Sequence, residues 1–577
     1  MVNLKINGLE VSVAQGSTIL DAAQKLGIRI PTLCYLRDVN ALGGCRICVV
    51  EVKGARSFAA ACVHPVYEGM EVLTNTEALR NSRKTTLELT ISDHKMDCLS
   101  CERSLNCELQ ALAKEYGVDQ HKFCFSDEPD VEIDDSAPHL VRDNSKCVLC
   151  RKCVAVCKQN QHTGVIGVNY RGYNTKVGSP FDMPLENMPC IYCGQCIAVC
   201  PTAALTEKSN KQELWDVLAD KTKHVVIATA PAIRAQLGEC FDMPIGTNVS
   251  GKMVSAIRRL GADKVFDVVS AADLTIMEEG TELLERMNNG GELPLFTSCC
   301  PSWVKFMEHY YPEKLPHLST CKSPQQMYGA IMKTYYAEKA GIAPKDIYVA
   351  SVMPCVAKKF EITREHQSAS GLPDIDVVIT TNELASMIKQ AGIVFSELPE
   401  EEFDPALGVA SGAGHIFGAT GGVCEATLRT VCELATGKEP ENLEFHEVRG
   451  TAGIKEAEYD LDGKKLKVAV VNGASNAKKL MDMIERSEKE YHFVEIMSCP
   501  GGCVNGGAQP YQPGYVRNFT NISKERAKAL YSEDKGSLRK SHENPIIKEL
   551  YDTYLGKPGG DRAHELLHTN YVERKVY

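Results

Sequence analysis

Two runs of cysteine carry the strongest chemical signal in the chain: Cys147-x2-Cys150-x2-Cys153-x3-Cys157 and Cys190-x2-Cys193-x2-Cys196-x3-Cys200-Pro201. In this spacing, three thiolates of one run and the fourth thiolate of the other enclose each cube of a [4Fe–4S] pair. Cys147, Cys150, Cys153 and Cys200 are expected to hold one cube, and Cys190, Cys193, Cys196 and Cys157 the other. Paired zinc ribbons are the competing reading, but ribbons use separate CxxC pairs rather than runs of four. Lys158 stands where proline is usual after the first run, a departure that touches no ligand.

Three further groups are less regular. Cys34-x10-Cys45-x2-Cys48-x13-Cys62 is close to a [2Fe–2S] loop, although the plant-type loop has a four-residue first gap. Zinc is the minority alternative there. His94-x3-Cys98-x2-Cys101-x5-Cys107 offers one imidazole and three thiolates, which suit tetrahedral zinc at least as well as a cube on ligand type alone. Its place between two redox groups favours a one-histidine [4Fe–4S] relay. Farther along, Thr297–Pro301 contains Cys299 and Cys300, Met353–Lys359 contains Cys355, and Met497–Cys503 contains Cys499 and Cys503. Four of these thiols suffice for another cube, and a fifth is then available for proton chemistry. Buried core cysteine is the bland alternative. It accounts poorly for the adjacent Cys299–Cys300 pair, and for glycine around Cys499 and Cys503 that lets backbone approach a bulky ligand.

The elements that position these groups follow from periodicity. Residues 2–13 read as two short strands around the hairpin dipeptide Asn7-Gly8, followed by a helix opened by Ser17 and closed at Gly27. Residues 77–93 read as a helix. Beyond about 220, apolar β-branched runs at His224–Ala228, Leu293–Phe296, Asp346–Met353, Ile375–Thr380, Leu466–Val471 and His492–Met497 alternate with helix-like segments. That pattern predicts α/β units with buried, largely parallel strands. Three runs end at Cys299–Cys300, Cys355 and Cys499, where an open α/β sheet builds its binding crevice.

The chain's 577 residues ask for several domains, and 44% hydrophobic with 24% charged residues excludes disorder and fibrous repeats. A net charge of -11 argues against nucleic acid or an anionic membrane as partner. The N-terminus MVNLKINGLE reads as neither signal peptide nor membrane span, so the 25 cysteines are expected in a reducing cytoplasm, the clustered ones binding metal rather than forming disulfides.

Taken together these segments resemble the catalytic subunits of [FeFe]-hydrogenases over nearly the whole chain. The resemblance implies a multidomain α+β and α/β protein, with N-terminal ferredoxin-like iron–sulfur modules before an α/β H-cluster domain. Its expected divisions are 1–78 ([2Fe–2S]), 79–125 (one histidine, three cysteines), 126–209 (double cube), 210–520 (catalytic) and 521–577 (a mixed-charge helical extension without a readable motif). Implied cofactors are one [2Fe–2S], three accessory [4Fe–4S], and an H-cluster, a cube joined to a two-iron unit bearing CO, cyanide and an amine dithiolate. Cys300, Cys355, Cys499 and Cys503 would ligate that cube, Cys503 bridging to the two-iron unit. Cys299 corresponds to the proton-passing thiol and Lys358 to the lysine paired with cyanide. Pro231, Gln325, Met353 and Met497 correspond to pocket-lining positions, and Phe417 is placed with them. Ala232, Ser498 and Cys424 depart from frequent serine, alanine and methionine; Cys124, Cys240, Cys321, Cys424 and Cys432 read as small buried apolar residues, with pocket lining a second role open to Cys424.

Glu279, Glu282 and Arg286 fall on one helix face. Alone, Glu282 and Arg286 read as a solvated pair; the resemblance turns Cys299–Glu279–Ser319–Glu282–Arg286 into a proton path. The implied reaction is 2H⁺ + 2e⁻ ⇌ H₂. Gly412-Ala-Gly-His-Ile-Phe417 lacks the third glycine of a nucleotide loop, so no flavin or NAD site is read in this chain. The wording around Cys321 and Cys355 resembles the NAD-linked, electron-bifurcating type, which implies flavin- and NAD-binding iron–sulfur subunits, ferredoxin and H-cluster maturation proteins as partners. A stand-alone ferredoxin-dependent hydrogenase, a relay subunit and an iron–sulfur assembly factor are the alternatives.

Overall fold

The computed structural model describes residues 1–123, 133–405, 409–440 and 442–575. Cys124 and the expected boundary between 125 and 126 lie outside them. At the N-terminus, β1 (Val2–Ile6) and β2 (Leu9–Val13) form the expected hairpin, with Asn7 and Gly8 at φ of 53° and 84°. Positive φ at both central residues is what matches the turn to the strand twist. The helix that follows is Ile19–Lys25, and Thr18 rather than Ser17 opens it. Thr18 and Asp21 cap one another's backbone amides, a reciprocal pairing unavailable to Ser17. With β3 (Val49–Val52), β4 (Ala59–Ala60) and β5 (Glu71–Leu73), the sheet order is β2-β1-β5-β3-β4. The helix Glu77–Ser92 leads out of it.

The double cysteine run is closed into one unit by its flanks. β6 (Ile133–Asp134) and β7 (Leu140–Asp143) precede it, β8 (Gly167–Asn169) and β9 (Lys176–Gly178) form a hairpin within it, and β10 (Leu205–Glu207) returns antiparallel to β7. Pairing Leu205 with Arg142 brings the two ends of the segment together.

Two four-stranded sheets follow. The first contains β11 (His224–Thr229), β12 (Lys264–Asp267), β14 (Ile347–Met353) and β15 (Val377–Thr380), all parallel in the order β12-β11-β14-β15. The second contains β13 (Leu295–Phe296), β16 (Ile454–Leu461), β17 (Lys464–Asn472) and β18 (Phe493–Met497), ordered β13-β18-β17-β16. Only β16 in this sheet runs antiparallel, as its edge strand. Sequence reasoning missed β12 and β16: β12 has four residues, and β16 has a charged, half-exposed face.

Residues beyond 520 form the helices Ile522–Gly536, Pro545–Leu550 and Asp561–Leu567, and their apolar faces enter the core. Ile547, Leu550 and Leu567 join the cluster around the first sheet, while Leu530 packs with Ala232 and Val504. The junction is also ionic. Arg429, on the helix Gly422–Thr436, donates to Asp534 at 2.6 and 2.9 Å and to Glu425 at 2.7 Å, all three side chains being buried. Arg429→Met should cost about 3 kcal/mol, the low end for breaking a buried pair, because Arg449 and Arg539 still face the two carboxylates. Denaturant unfolding of the variant measures this, with the C-terminal helices losing protection from hydrogen exchange first.

Candidate active site

Strand ends from both sheets meet at one apolar pocket. Pro231 follows β11, Cys299 and Cys300 follow β13, Met353 ends β14 ahead of Cys355, and Met497 ends β18 ahead of Ser498, Cys499 and Cys503. The short turn Ile416–Gly418 adds Phe417, and the helix Pro324–Ile331 adds Gln325. Lys358 closes the wall from the helix Ala357–Glu361. Ala232 also lines it, but Cys424 does not. Cys424 packs with Leu283, Leu428 and Val431 on the far side of its helix, its amide held at 2.8 Å by the buried Glu495. Cys424 is thus a buried apolar residue, as expected, and the pocket-lining role open to it is corrected.

Cys300, Cys355, Cys499 and Cys503 face one another. Burial first, with neighbouring sulfurs adding to it, pushes Cys355 up to about 12 and raises Cys499 and Cys503. Thiols crowded this way become thiolates only when a cation lies among them. The Ser498 hydroxyl is buried with no hydrogen-bond partner while lining the same pocket. Four soft donors, an orphaned hydroxyl and an apolar wall fit a bulky iron–sulfur group. Gln325 is held rigid, accepting from Ser351 at 2.8 Å and donating to Glu361 at 3.0 Å. Burial opposes the charge on Lys358, but Glu361 outweighs it and leaves the lysine pKa raised. Its ammonium donates to Glu361 at 2.8 Å, Ser323 at 2.8 Å and the Cys299 carbonyl at 3.2 Å, so it is a fixed positive charge.

Cys299 is half-buried, and its desolvation followed by the charge of Glu279 raises its pKa. Glu279 sits on the helix Val269–Asn289, with both carboxyl oxygens buried and unpartnered. Burial, then repulsion from Glu282, pushes it up to about 8, while the nearby Ser319 hydroxyl and Ser298 amide pull the other way. It is thus a neutral acid at pH 7. Ser319 donates to Glu282 at 2.8 Å, and Arg286 donates to Glu282 at 2.6 Å.

The N-terminal thiols group as the spacing predicts. Cys147, Cys150 and Cys153 are each pushed up by burial and also by Cys200 of the other run; Cys190, Cys193 and Cys196 are likewise raised by Cys157. Cys48 and Cys62 lie with sulfurs 3.3 Å apart, and the Cys34 and Cys45 thiols, both free, are neighbours whose interaction lowers the pKa of Cys34. His94 is kept neutral by burial, and its Nδ1 is buried without a partner, as a metal-binding imidazole requires. Cys98, Cys101 and Cys107 are half-buried, and Cys101 shares the neighbour Lys146 with His94. The double-run unit touches the pocket directly: Cys193 feels Cys300, and a Cβ on Gly507 would stand 2.4 Å from the Cys193 carbonyl oxygen. Only glycine permits that approach.

Sequence reasoning missed several partners. Glu361, three residues after Lys358, was detectable from helical spacing alone. His139 was not; its ring lies tilted by 36° against Tyr192 with centroids 4.1 Å apart, and its Nε2 is 4.0 Å from the Cys190 sulfur. Cys321 is buried as expected, but its sulfur lies 3.9 Å from Glu282 rather than in a purely apolar setting. Gly412 and Gly414 admit the close approach of Asp534 and Val269.

Comparison with known proteins converges on one family. The description "Iron only hydrogenase large subunit, C-terminal domain" matches residues 223–507, and "Iron hydrogenase small subunit" matches 520–574. A 2Fe-2S iron-sulfur cluster binding domain matches 1–77, the NADH-ubiquinone oxidoreductase-G iron-sulfur binding region matches 83–122, and a 4Fe-4S dicluster domain matches 146–204. The chain is 48% identical to the NADP-reducing hydrogenase subunit HndD of Solidesulfovibrio fructosivorans, covering 100% of this chain and 99% of that one. It is 45% identical to iron hydrogenase 1 of Clostridium pasteurianum, over 99% of this chain and 100% of the relative. A solved apo [FeFe]-hydrogenase from Chlamydomonas reinhardtii superposes with a TM-score of 0.57 at 45% identity, covering 63% of this chain and 99% of that one.

The Glu279 environment makes a pH prediction. Its carboxyl should be protonated below about 8 and ionised above it. An infrared pH titration should show the protonated-carboxyl band fading through that range, and Glu279→Gln should remove the band.

Proposed function

The chain belongs to the iron-only hydrogenase family, and from that premise we propose that it is the hydrogen-converting subunit of an NAD(H)- and ferredoxin-linked, electron-bifurcating complex. As a member it is an oxidoreductase with iron–sulfur and H-cluster cofactors. The observation that carries the reading is the pocket itself, where four converging thiols stand beside a fifth, Cys299, that is aligned with buried acids.

In this reading Cys300, Cys355, Cys499 and Cys503 hold the cube. When bound, the H-cluster supplies the interconversion of protons, electrons and hydrogen. Pro231, Met353, Met497 and Phe417 exclude water, and Gln325 and Lys358 present fixed polar groups. Cys299 holds a proton at Sγ. Glu279 holds one on its neutral carboxyl, and the Ser319 hydroxyl and Glu282 carboxylate pass it onward. A thiol and an acid with pKa values above 7 are loaded at neutral pH, which suits them to deliver protons into an apolar site.

Segments 1–78, 79–125 and 126–209 would hold one [2Fe–2S] and three [4Fe–4S] centres, which would supply an electron route ending where Cys193 meets the catalytic segment 210–520. The helices of the extension 521–577 pack against that segment. The likeness to an NADP-reducing hydrogenase subunit supports flavin- and NAD-binding subunits as partners. Ferredoxin and maturation proteins complete the set, in the cytoplasm. No helix among the described residues is long and apolar enough to cross a membrane.

Infrared spectroscopy of the matured protein tests the reaction: iron-bound CO and cyanide bands are expected, and their absence would overturn it. Cys299→Ser should keep its iron and lose about 100-fold or more in turnover; full activity removes Cys299 from the path. NADH alone should yield no hydrogen from the purified chain, and hydrogen should appear when the flavin subunits are added. NADH-driven turnover without partners would overturn the multisubunit reading.

A further inference from the structure

Arg286 is placed at the outer end of the acid chain, yet a guanidinium donates only and does not give up its proton in proteins. Here it donates to the Glu282 carboxylate and to the carbonyls of Glu292, Pro316 and Leu318 at 3.0 Å each. It therefore orients Glu282. A proton leaving Glu282 needs a neighbour that both accepts and donates.

Such a neighbour comes from the C-terminal segment. The Lys322 amide donates to the Leu567 carbonyl at 2.8 Å, the Thr569 amide donates to the Thr320 carbonyl at 2.8 Å, and Cys321 pairs antiparallel with His568. The Tyr571 hydroxyl adds a bond to the Ser319 carbonyl at 2.6 Å. This zipper sets His568 beside Thr320, with Nδ1 2.7 Å from the Thr320 hydroxyl. Thr320 lies against Glu282, its amide 3.2 Å and its hydroxyl 3.5 Å from the carboxylate. The other imidazole nitrogen, Nε2, is 3.1 Å from Glu278, which also binds the Tyr551 hydroxyl and the Gly559 amide. The exposed ring of His564 stacks on His568 at 4.6 Å.

We propose that Thr320 and His568 form a proton branch between Glu282 and the Glu278–Tyr551 pair, with Arg286 as a positioning residue. The branch rests on the proton-path reading above. The Thr320 oxygen accepts the Glu282 proton while its own hydroxyl proton passes to His568 Nδ1. The Nε2 proton passes to the Glu278 carboxylate, so one proton moves and nothing is oxidised or reduced. Hydrogen production runs the same transfers in reverse, from Glu278 through His568 and the Thr320 hydroxyl to Glu282. Glu278 and Glu279 are adjacent on one helix, so their side chains diverge: one meets the imidazole, and the other stands toward Cys299. The helix thus serves both ends of the route.

The test uses matured holoenzyme with a chemical reductant, comparing His568→Gln, Thr320→Val and Glu282→Gln. The His568→Gln change keeps an amide donor toward Glu278 but cannot relay a proton, and Thr320→Val keeps the shape of the side chain without its hydroxyl. Hydrogen production should fall about tenfold or more in both branch variants, with iron content and thermal midpoint unchanged and the solvent isotope effect raised. The infrared carboxyl band that Glu282→Gln abolishes should shift in His568→Gln, a readout independent of turnover. Loss of activity in Glu282→Gln, with both branch variants within twofold of wild type and the band unmoved, overturns the branch alone. Full turnover in Glu282→Gln overturns the proton path and the branch together.

Discussion

Sulfur atoms packed together away from water cannot all carry charge unless a cation lies among them. That constraint organises this molecule. At the pocket, Cys300, Cys355, Cys499 and Cys503 come from three separate strand ends, and burial holds Cys355, Cys499 and Cys503 as neutral thiols. A metal centre held there would join segments more than 200 residues apart in sequence, and its binding energy would also be folding energy. The same holds for the crossed grouping of Cys200 with the first run and Cys157 with the second.

The groups around the pocket answer that charge problem in two ways. Lys358 is a permanent cation whose desolvation is offset by Glu361, Ser323 and a backbone carbonyl. Glu279 is left without such partners and stays a neutral acid. One arrangement fixes a charge, and the other keeps a proton available. Both groups are buried, Lys358 beside the apolar wall of Pro231, Met353, Phe417 and Met497 and Glu279 within the packing around its helix.

The sites also form a row in contact. Cys45 and Cys107 edge one apolar cluster shared with Val148, Arg103 donates to the Cys200 carbonyl, and Cys193 abuts Cys300. These contacts keep neighbouring cysteine groups close to one another. The C-terminal helices then clamp the catalytic segment through Arg429 and Asp534 on one side and the strand-like contact at His568 on the other.

How much of this was legible in the chain follows from range. The cysteine runs, the Asn7-Gly8 hairpin and the strands ending at Cys299, Cys355 and Cys499 are local patterns, because ligand spacing, turn chemistry and β-branched runs act over a few residues. The pocket-lining set Pro231, Gln325, Met353, Met497 and Phe417 was also reached in advance, through family resemblance rather than periodicity. Other features depend on which distant residues meet. Cys424 turned away from the pocket because its helix presents that side to Leu283 and Val431. His139, Glu278 and His568 gave no signal, since their partners lie 51, 290 and 248 residues away. The chemistry of this protein was determined by which residues stand side by side in sequence. The charge state of each group, and the route open to a proton, were decided only by burial and by long-range contacts, which exist only once the chain has folded.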